Sequence, residues 1–207
     1  MNVSELFTQA KVVAVVRKIP RESFLDVMDA LVNGGIRAIE ITMDSTDAAS
    51  GIADLNRRYG DQVVVGAGTV FAKEQVREAV DAGAKFLVCP HLDVSLIEQS
   101  LKLNCPLVPG VFTPTEIHTA LAAGAEVVKV FPASSLGASF VRDVLGPFAG
   151  LQMMVTGGLN VNNFLDFLQA GAIAVGMGSS LFPRADIEMK NWSAITKKAK
   201  QLLSLST

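Results

Sequence analysis

The sequence predicts an α/β fold, a (β/α)8 (TIM) barrel with a short leading helix, and three observations carry that prediction. Apolar, strand-like runs start near residues 12, 37, 62, 86, 106, 127, 152 and 173, with helical periodicity between them. No β-hairpin signal joins neighbouring runs, so the strands must lie parallel. Small-residue stops recur just before strands, at Asn33-Gly34-Gly35, Asp81-Ala82-Gly83-Ala84, Ala123-Gly124-Ala125 and Ala170-Gly171-Ala172. Eight such units account for all 207 residues and leave no room for a second domain, so residues 1–207 are read as one barrel. An open doubly wound sheet is the alternative, but no Gly-x-Gly-x-x-Gly opens its first helix.

The elements follow in order. Residues 2–10 read as the leading helix, and Val12–Val16 as the first strand, ending at Arg17. Pro20 opens a helix whose apolar face is Phe24, Val27, Met28 and Leu31, at spacings of three and four. Arg37–Thr42 is the second strand, with a helix to about Arg58. Gln62–Gly68 is the third, with a helix over Ala72–Ala82. Phe86–Cys89 is the fourth strand. Asp93 caps the next helix, which runs through Leu103 and places Val94, Ile97 and Leu101 on one side. Pro106–Pro109 is the fifth strand. Thr113-Pro114-Thr115-Glu116 then opens a helix with a capping box and a proline in its first turn. The sixth strand holds Lys129, and a less regular helix near Ser139–Leu145 follows it. Gln152–Thr156 is the seventh strand, with a helix over Asn160–Ala170. Ile173–Met177 is the eighth, and the last helix runs from about Ile187 to Leu203.

Composition excludes several classes. Half of the residues are hydrophobic and 18% are charged, so there is material for a large core and no sign of disorder. A net charge of −2 without a basic cluster argues against a nucleic-acid surface. The longest uncharged run, Val144–Leu165, is broken by Gly and Pro and carries Gln, Thr and Asn, so it is no membrane span. The N-terminal stretch carries Glu5 and has no signal-peptide pattern. Cys89 and Cys105 sit in apolar strand-like contexts and read as reduced core thiols of a cytoplasmic protein. His91 and His118 complete no metal-ligand spacing and read as ordinary residues, His91 in a loop and His118 within a helix.

In a barrel of this kind, function gathers where strands end. Lys129 lies mid-strand in Glu126-Val127-Val128-Lys129-Val130-Phe131-Pro132 and shares a face with Phe131. Such a lysine either snorkels or pairs with an acid, or it is an amine that desolvation frees to attack a carbonyl. Glu40 shares a face with Thr42; it is either a structural ion-pair partner of Lys129 or Arg17, or a buried general acid/base. Gly66-Ala67-Gly68-Thr69 offers either packing glycines and a cap or a close wall with one hydroxyl. Thr156-Gly157-Gly158 and Gly176-Met177-Gly178-Ser179 end the last two strands. Glycines there permit tight turns, and they also let backbone amides approach a phosphate, with Ser179 as a further donor.

The ordered set Glu40-Ile41-Thr42, Gly66-Ala67-Gly68-Thr69-Val70, Pro109-Gly110-Val111, Lys129-Val130-Phe131-Pro132, Pro147-Phe148 and Thr156-Gly157-Gly158 resembles the bacterial 2-keto-3-deoxy-6-phosphogluconate/4-hydroxy-2-oxoglutarate aldolases over nearly the whole chain. The resemblance implies a homotrimer of barrels that needs neither metal nor cofactor. It also implies cleavage of a 2-keto-4-hydroxy acid to pyruvate and an aldehyde through a lysine Schiff base. On that likeness Lys129 is the Schiff-base lysine and Glu40 the proton shuttle. Thr69 contacts the pyruvate portion, Pro90 and Phe131 shape its pocket, and Thr156 stands with them. Gly157, Gly158, Gly178 and Ser179 hold the phosphate, and Arg17 matches a basic position at the end of the first strand. One departure stands out. Two residues beyond the threonine of Glu-x-Thr, where some members carry an arginine for the substrate carboxylate, this chain has Asp44. Carboxylate binding then falls to Thr69, nearby amides and Arg17, and an acid near the carboxylate is expected to weaken binding. Two other readings of the residues stand beside this one: a phosphate-binding barrel isomerase or synthase, and a non-catalytic phosphometabolite-binding barrel.

Overall fold

The computed structural model describes residues 2–206, with Met1 and Thr207 outside them. Helix α1 (Val3–Ala10) starts on a reciprocal cap: the Glu5 amide donates to Asn2 Oδ1 at 2.8 Å and the Asn2 amide to Glu5 Oε2 at 3.1 Å. Strands and helices then alternate as β1 (Val12–Val16), α2 (Arg21–Asn33), β2 (Ala38–Thr42), α3 (Ala48–Tyr59), β3 (Val64–Gly68) and α4 (Lys73–Asp81). The middle of the chain forms β4 (Leu87–Val88), α5 (Val94–Lys102), β5 (Leu107–Val108), β6 (Gly110–Val111), α6 (Pro114–Ala122) and β7 (Val127–Val130). The remainder forms α7 (Ala133–Leu145), β8 (Gln152–Thr156), α8 (Phe164–Gln169), β9 (Ala174–Met177), α9 (Arg184–Glu188) and α10 (Trp192–Leu205).

All strand pairs are parallel, in the order β5-β4-β3-β2-β1-β9-β8-β7-β6. β5 and β6 are two halves of one crossing interrupted by Pro109, which has no N–H to give a ladder. Its carbonyl still accepts from the Lys129 amide at 2.8 Å. The first half pairs with β4 and the second with β7, and this brings the two ends of the sheet together as a barrel. The eight predicted strands are therefore all present. The small-residue stops are too: Gly35, Gly83, Gly124 and Gly171 take φ of 97°, 93°, 96° and 113°, where a side chain would be strained.

Alternation along each strand builds two separate layers. One set of residues, including Ile39, Ile41, Val65, Val128, Val155 and Val175, packs outward against the helices. The other set points into the barrel: Val13, Ala38, Phe86, Val88, Val108, Val127, Met154 and Ala174 form a core with Val3, Leu6, Phe7 and Ala10 of α1. Helix α1 thus plugs the N-terminal end, with Phe7 edge-on to Phe86 at 5.2 Å. Two residues further along the same strands, on the same inner face, stand Val15, Glu40, Pro90, Gly110, Lys129, Thr156 and Gly176. The inner core therefore ends, and a polar layer begins, at one level of the barrel.

Four elements depart from the sequence expectations. On α5 the buried face is Leu96, Ile97 and Ser100, whereas Val94 and Leu101 are 38% and 47% exposed. Both triads satisfy helical spacing, and only packing against the sheet chooses between them. The helix expected over Asn160–Ala170 begins at Phe164, because Asn160 and Asn163 form a local turn, the Asn160 amide donating to Asn163 Oδ1 at 2.8 Å. The last helix is two helices, α9 and α10, broken where Lys190 takes φ 52°. Helix α7 starts earlier than expected, at Ala133, and its irregularity is a kink at Gly137 with φ 78°.

Candidate active site

The C-terminal ends of the strands surround a cavity of about 700 Å³. Arg17, Glu40, Thr69, Pro90, Lys129, Phe131, Thr156, Gly157, Gly158, Gly178 and Ser179 all line it, so every site residue proposed from the sequence meets in one place. Glycines on the strands around it let these residues pack closely. A Cβ on Gly68 would collide with the Glu40 carboxylate, one on Gly176 with Thr156 Oγ1, and one on Gly110 with the Pro90 backbone.

Lys129 sits on β7 between Gly110 of β6 and Met154 of β8, and is 5% exposed. Its Nζ lies 5.3 Å from the centroid of the Phe131 ring. Glu40, on β2 between Val15 and Gly66, is fully buried. Desolvation raises the Glu40 pKa above the ordinary carboxylate value, against the opposing pull of the Lys129 and Arg17 charges. Neither Glu40 oxygen has a hydrogen-bond partner among the described residues, and neither has Thr156 Oγ1. A buried polar group left unpaired costs about 1–3 kcal/mol, so these three atoms favour a polar ligand that supplies partners.

Arg17 leaves β1 and its Nη2 donates to Thr69 Oγ1 at 2.7 Å. Thr69 itself has φ 55°, a strained conformation for a β-branched residue that costs on the order of 1–3 kcal/mol. At the opposite wall, Gly157 and Gly158 have φ of 100° and 72°. Gly178 O accepts from the Leu181 and Phe182 amides at 2.8 and 3.2 Å, a tight turn around Ser179 and Ser180. The Gly158, Ser179 and Ser180 amides donate to no protein acceptor among the described residues. Such a set of free amides suits an anion.

Asp44 falls outside this cavity. It lines a neighbouring groove of about 480 Å³ and pairs with Arg17 Nε at 3.5 Å and Lys18 Nζ at 3.3 Å. The expectation that its charge confronts the substrate carboxylate is therefore not met, since two cations stand against it. His91 is also outside, stacked on Phe71 at 5.3 Å, and His118 is exposed on α6. Burial pushes the Cys89 and Cys105 thiols up to about 12 and about 11, so both stay protonated and unreactive. No group of three or more His, Cys, Asp or Glu side chains is placed to hold a metal among the described residues. The sequence reading missed Lys18, Ser180, Arg184 and Glu188, which also line the cavity. Lys18 follows Arg17 at the strand end and could have been found there. Arg184 and Glu188, paired at 2.6 Å, sit on α9, which straddles the expected start of the last helix near Ile187.

Comparison with known proteins agrees with this geometry. The family model "KDPG and KHG aldolase" matches residues 3–198. The chain is 34% identical over 205 residues to the 2-dehydro-3-deoxy-phosphogluconate aldolase of Haemophilus influenzae, covering 99% of this chain and 96% of that one. It is 30% identical over 201 residues to the KHG/KDPG aldolase of Escherichia coli, covering 97% and 94%. Among solved structures, the KDPG aldolase of Legionella pneumophila, with pyruvate captured as a covalent carbinolamine, superimposes with a TM-score of 0.91 at 30% identity over 98% of each chain. With its fold, its strand-end cavity and its sequence matched nearly end to end, this chain belongs to the KDPG and KHG aldolase family.

Proposed function

We propose that the chain is a class I aldolase that cleaves 2-keto-3-deoxy-6-phosphogluconate to pyruvate and glyceraldehyde 3-phosphate, and 4-hydroxy-2-oxoglutarate to pyruvate and glyoxylate. One observation carries this reading: a buried lysine, Lys129, shares a glycine-walled cavity with a buried carboxylate, Glu40, that has no hydrogen-bond partner among the described residues. The Legionella pneumophila relative was captured with pyruvate as a carbinolamine. In the reaction the Lys129 amine attacks the C2 ketone, and loss of water from the carbinolamine leaves an iminium. Glu40, directly or through one water, takes the C4 hydroxyl proton. The C3–C4 bond breaks, its electrons pass into the iminium, and the aldehyde departs from an enamine. Protonation at C3 and addition of water return pyruvate and the free amine. Each cycle restores the proton on the group that lent it, so one carboxylate serves several steps.

Arg17, with Thr69, receives the substrate carboxylate, while Pro90, Phe131 and Thr156 enclose the pyruvate portion. Gly157, Gly158, Gly178 and Ser179 receive the phosphate. The barrel acts as a homotrimer in the cytoplasm. Support for assembly comes from apolar surface left open on one chain: Phe71 and Phe112 on the loops after β3 and β6, and Val94 and Leu101 on α5. Among the described residues no helix is long and apolar enough to cross a membrane. The decisive experiment is borohydride reduction in the presence of pyruvate, followed by peptide mass analysis. The peptide holding Lys129 should carry a 1-carboxyethyl addition on the lysine nitrogen, and Lys129→Ala should lose both labelling and turnover. Labelling at another lysine, or none, would defeat the assignment and favour a barrel that binds phosphate without imine chemistry.

A further inference from the structure

Resting on the reading that Arg17 receives the substrate carboxylate, we propose that Asp44 is the positioning residue for that arginine. It anchors the guanidinium from behind, in the neighbouring groove, before substrate arrives. The geometry places Arg17 between two walls. Its Nη2 donates to Thr69 Oγ1 at 2.7 Å inside the cavity, and its Nε stands 3.5 Å from Asp44 Oδ1 outside it. Arg17 Nη1 donates to no protein group among the described residues and is left for a ligand. Asp44 is not among the residues that line the cavity, whereas Arg17 and Lys18, its two ion-pair partners, both are.

The anchor is itself held. Lys18 Nζ approaches Asp44 Oδ2 at 3.3 Å, and the Lys18 amide donates to Ser45 Oγ at 2.8 Å, tying the loop after β1 to the loop after β2. Burial works to raise the Asp44 pKa, but hydrogen bonds from Thr42 and Lys18 and the charges of Arg17 and Lys18 outweigh it. The group is therefore a carboxylate throughout the working range. Because the Arg17 and Asp44 side chains are 54% and 31% exposed, their pair adds little to stability. Its effect is on order. A long arginine held in its binding geometry loses less freedom when a carboxylate docks, and this lowers the cost of binding. An acid close to the site thus improves carboxylate binding, the reverse of what its charge alone suggests.

The test compares Asp44→Asn, Asp44→Ala, Asp44→Glu, Arg17→Ala and the double variant Arg17→Ala/Asp44→Ala. Two readouts are used: steady-state cleavage of 2-keto-3-deoxy-6-phosphogluconate, and the pyruvate concentration giving half-maximal borohydride trapping. Asp44→Asn and Asp44→Ala should raise KM and the trapping midpoint roughly three- to fivefold, with kcat within about twofold of the parent. Asp44→Glu should stay near the parent. The double variant should bind no worse than Arg17→Ala alone, because the anchor has nothing left to hold. If Arg17→Ala weakens binding but Asp44→Asn and Asp44→Ala leave KM unchanged or lower it, Asp44 does not position Arg17. If Arg17→Ala itself leaves both midpoints unchanged, the assignment of the carboxylate to Arg17 fails, and the proposal fails with it.

Discussion

Gly68→Ala isolates the link between the glycine wall and catalysis. Gly68 ends β3 opposite Thr42, and its φ lies outside the left-handed region, so alanine meets no backbone barrier there. The added methyl instead lands on the Cγ, Cδ and Oε1 atoms of Glu40. Glu40 has no hydrogen bond among the described residues to hold it, so it is the group that yields. Overpacking of this kind costs about 1–3 kcal/mol. In a chain of this size that corresponds to a fall in Tm of about 2–12 °C. The displaced carboxylate can no longer reach the C4 hydroxyl, so kcat should fall by about 10²–10⁴-fold, the usual share of general acid/base catalysis. Imine formation at Lys129 should survive, because the methyl does not touch it. The assay pairs turnover with borohydride trapping and a thermal melt. The double variant Gly68→Ala/Glu40→Gln should be no slower than Glu40→Gln. Parental kcat in Gly68→Ala, with the expected loss in Tm, would refute Glu40 as the shuttle.

Two further outcomes are expected. Burial raises the folded-state pKa of Glu40 above its ordinary value of 4.5, so its contribution to stability is fully present below 4.5 and is lost as pH rises through the folded pKa. Denaturation of Glu40→Gln and the parent across pH should therefore show the parent losing ground to the variant as pH rises above 4.5; a constant difference would mean that the carboxylate is not desolvated. Gly158→Ala places a side chain at φ 72° and against Ser134 Oγ, a strain of about 1–2 kcal/mol. It should lower kcat/KM on the phosphorylated substrate more than on 4-hydroxy-2-oxoglutarate, and equal losses on both would leave the glycines a turn-forming role only.

Much of this protein was legible in the sequence. Strand positions, parallel pairing and the barrel follow from apolar runs and small-residue stops, because backbone sterics and hydrophobic burial act over a few residues. Glu40 and Lys129 stood out as charges within otherwise apolar strands, and the glycines stood out at strand ends. Alternation along each strand then places these residues one level above the inner core.

What needed the tertiary structure is everything decided by contacts between distant residues. The buried side of α5 is one case, since two faces of the helix fit its spacing and the sheet takes Leu96, Ile97 and Ser100. The break between α9 and α10 is another, because the sequence reads one helix from about Ile187 where the structure has a separate α9 that brings Arg184 and Glu188 to the cavity. Asp44 is the sharpest case. Its place just past Glu40-Ile41-Thr42 suggests a side chain in the site. Arg17 and Lys18, from the loop after β1, instead meet it in the next groove. The sequence by itself determined which residues carry charge and on which strand face they lie. The direction of a side chain beyond a strand's end depends on which partner meets it, and only the closed barrel sets that partner.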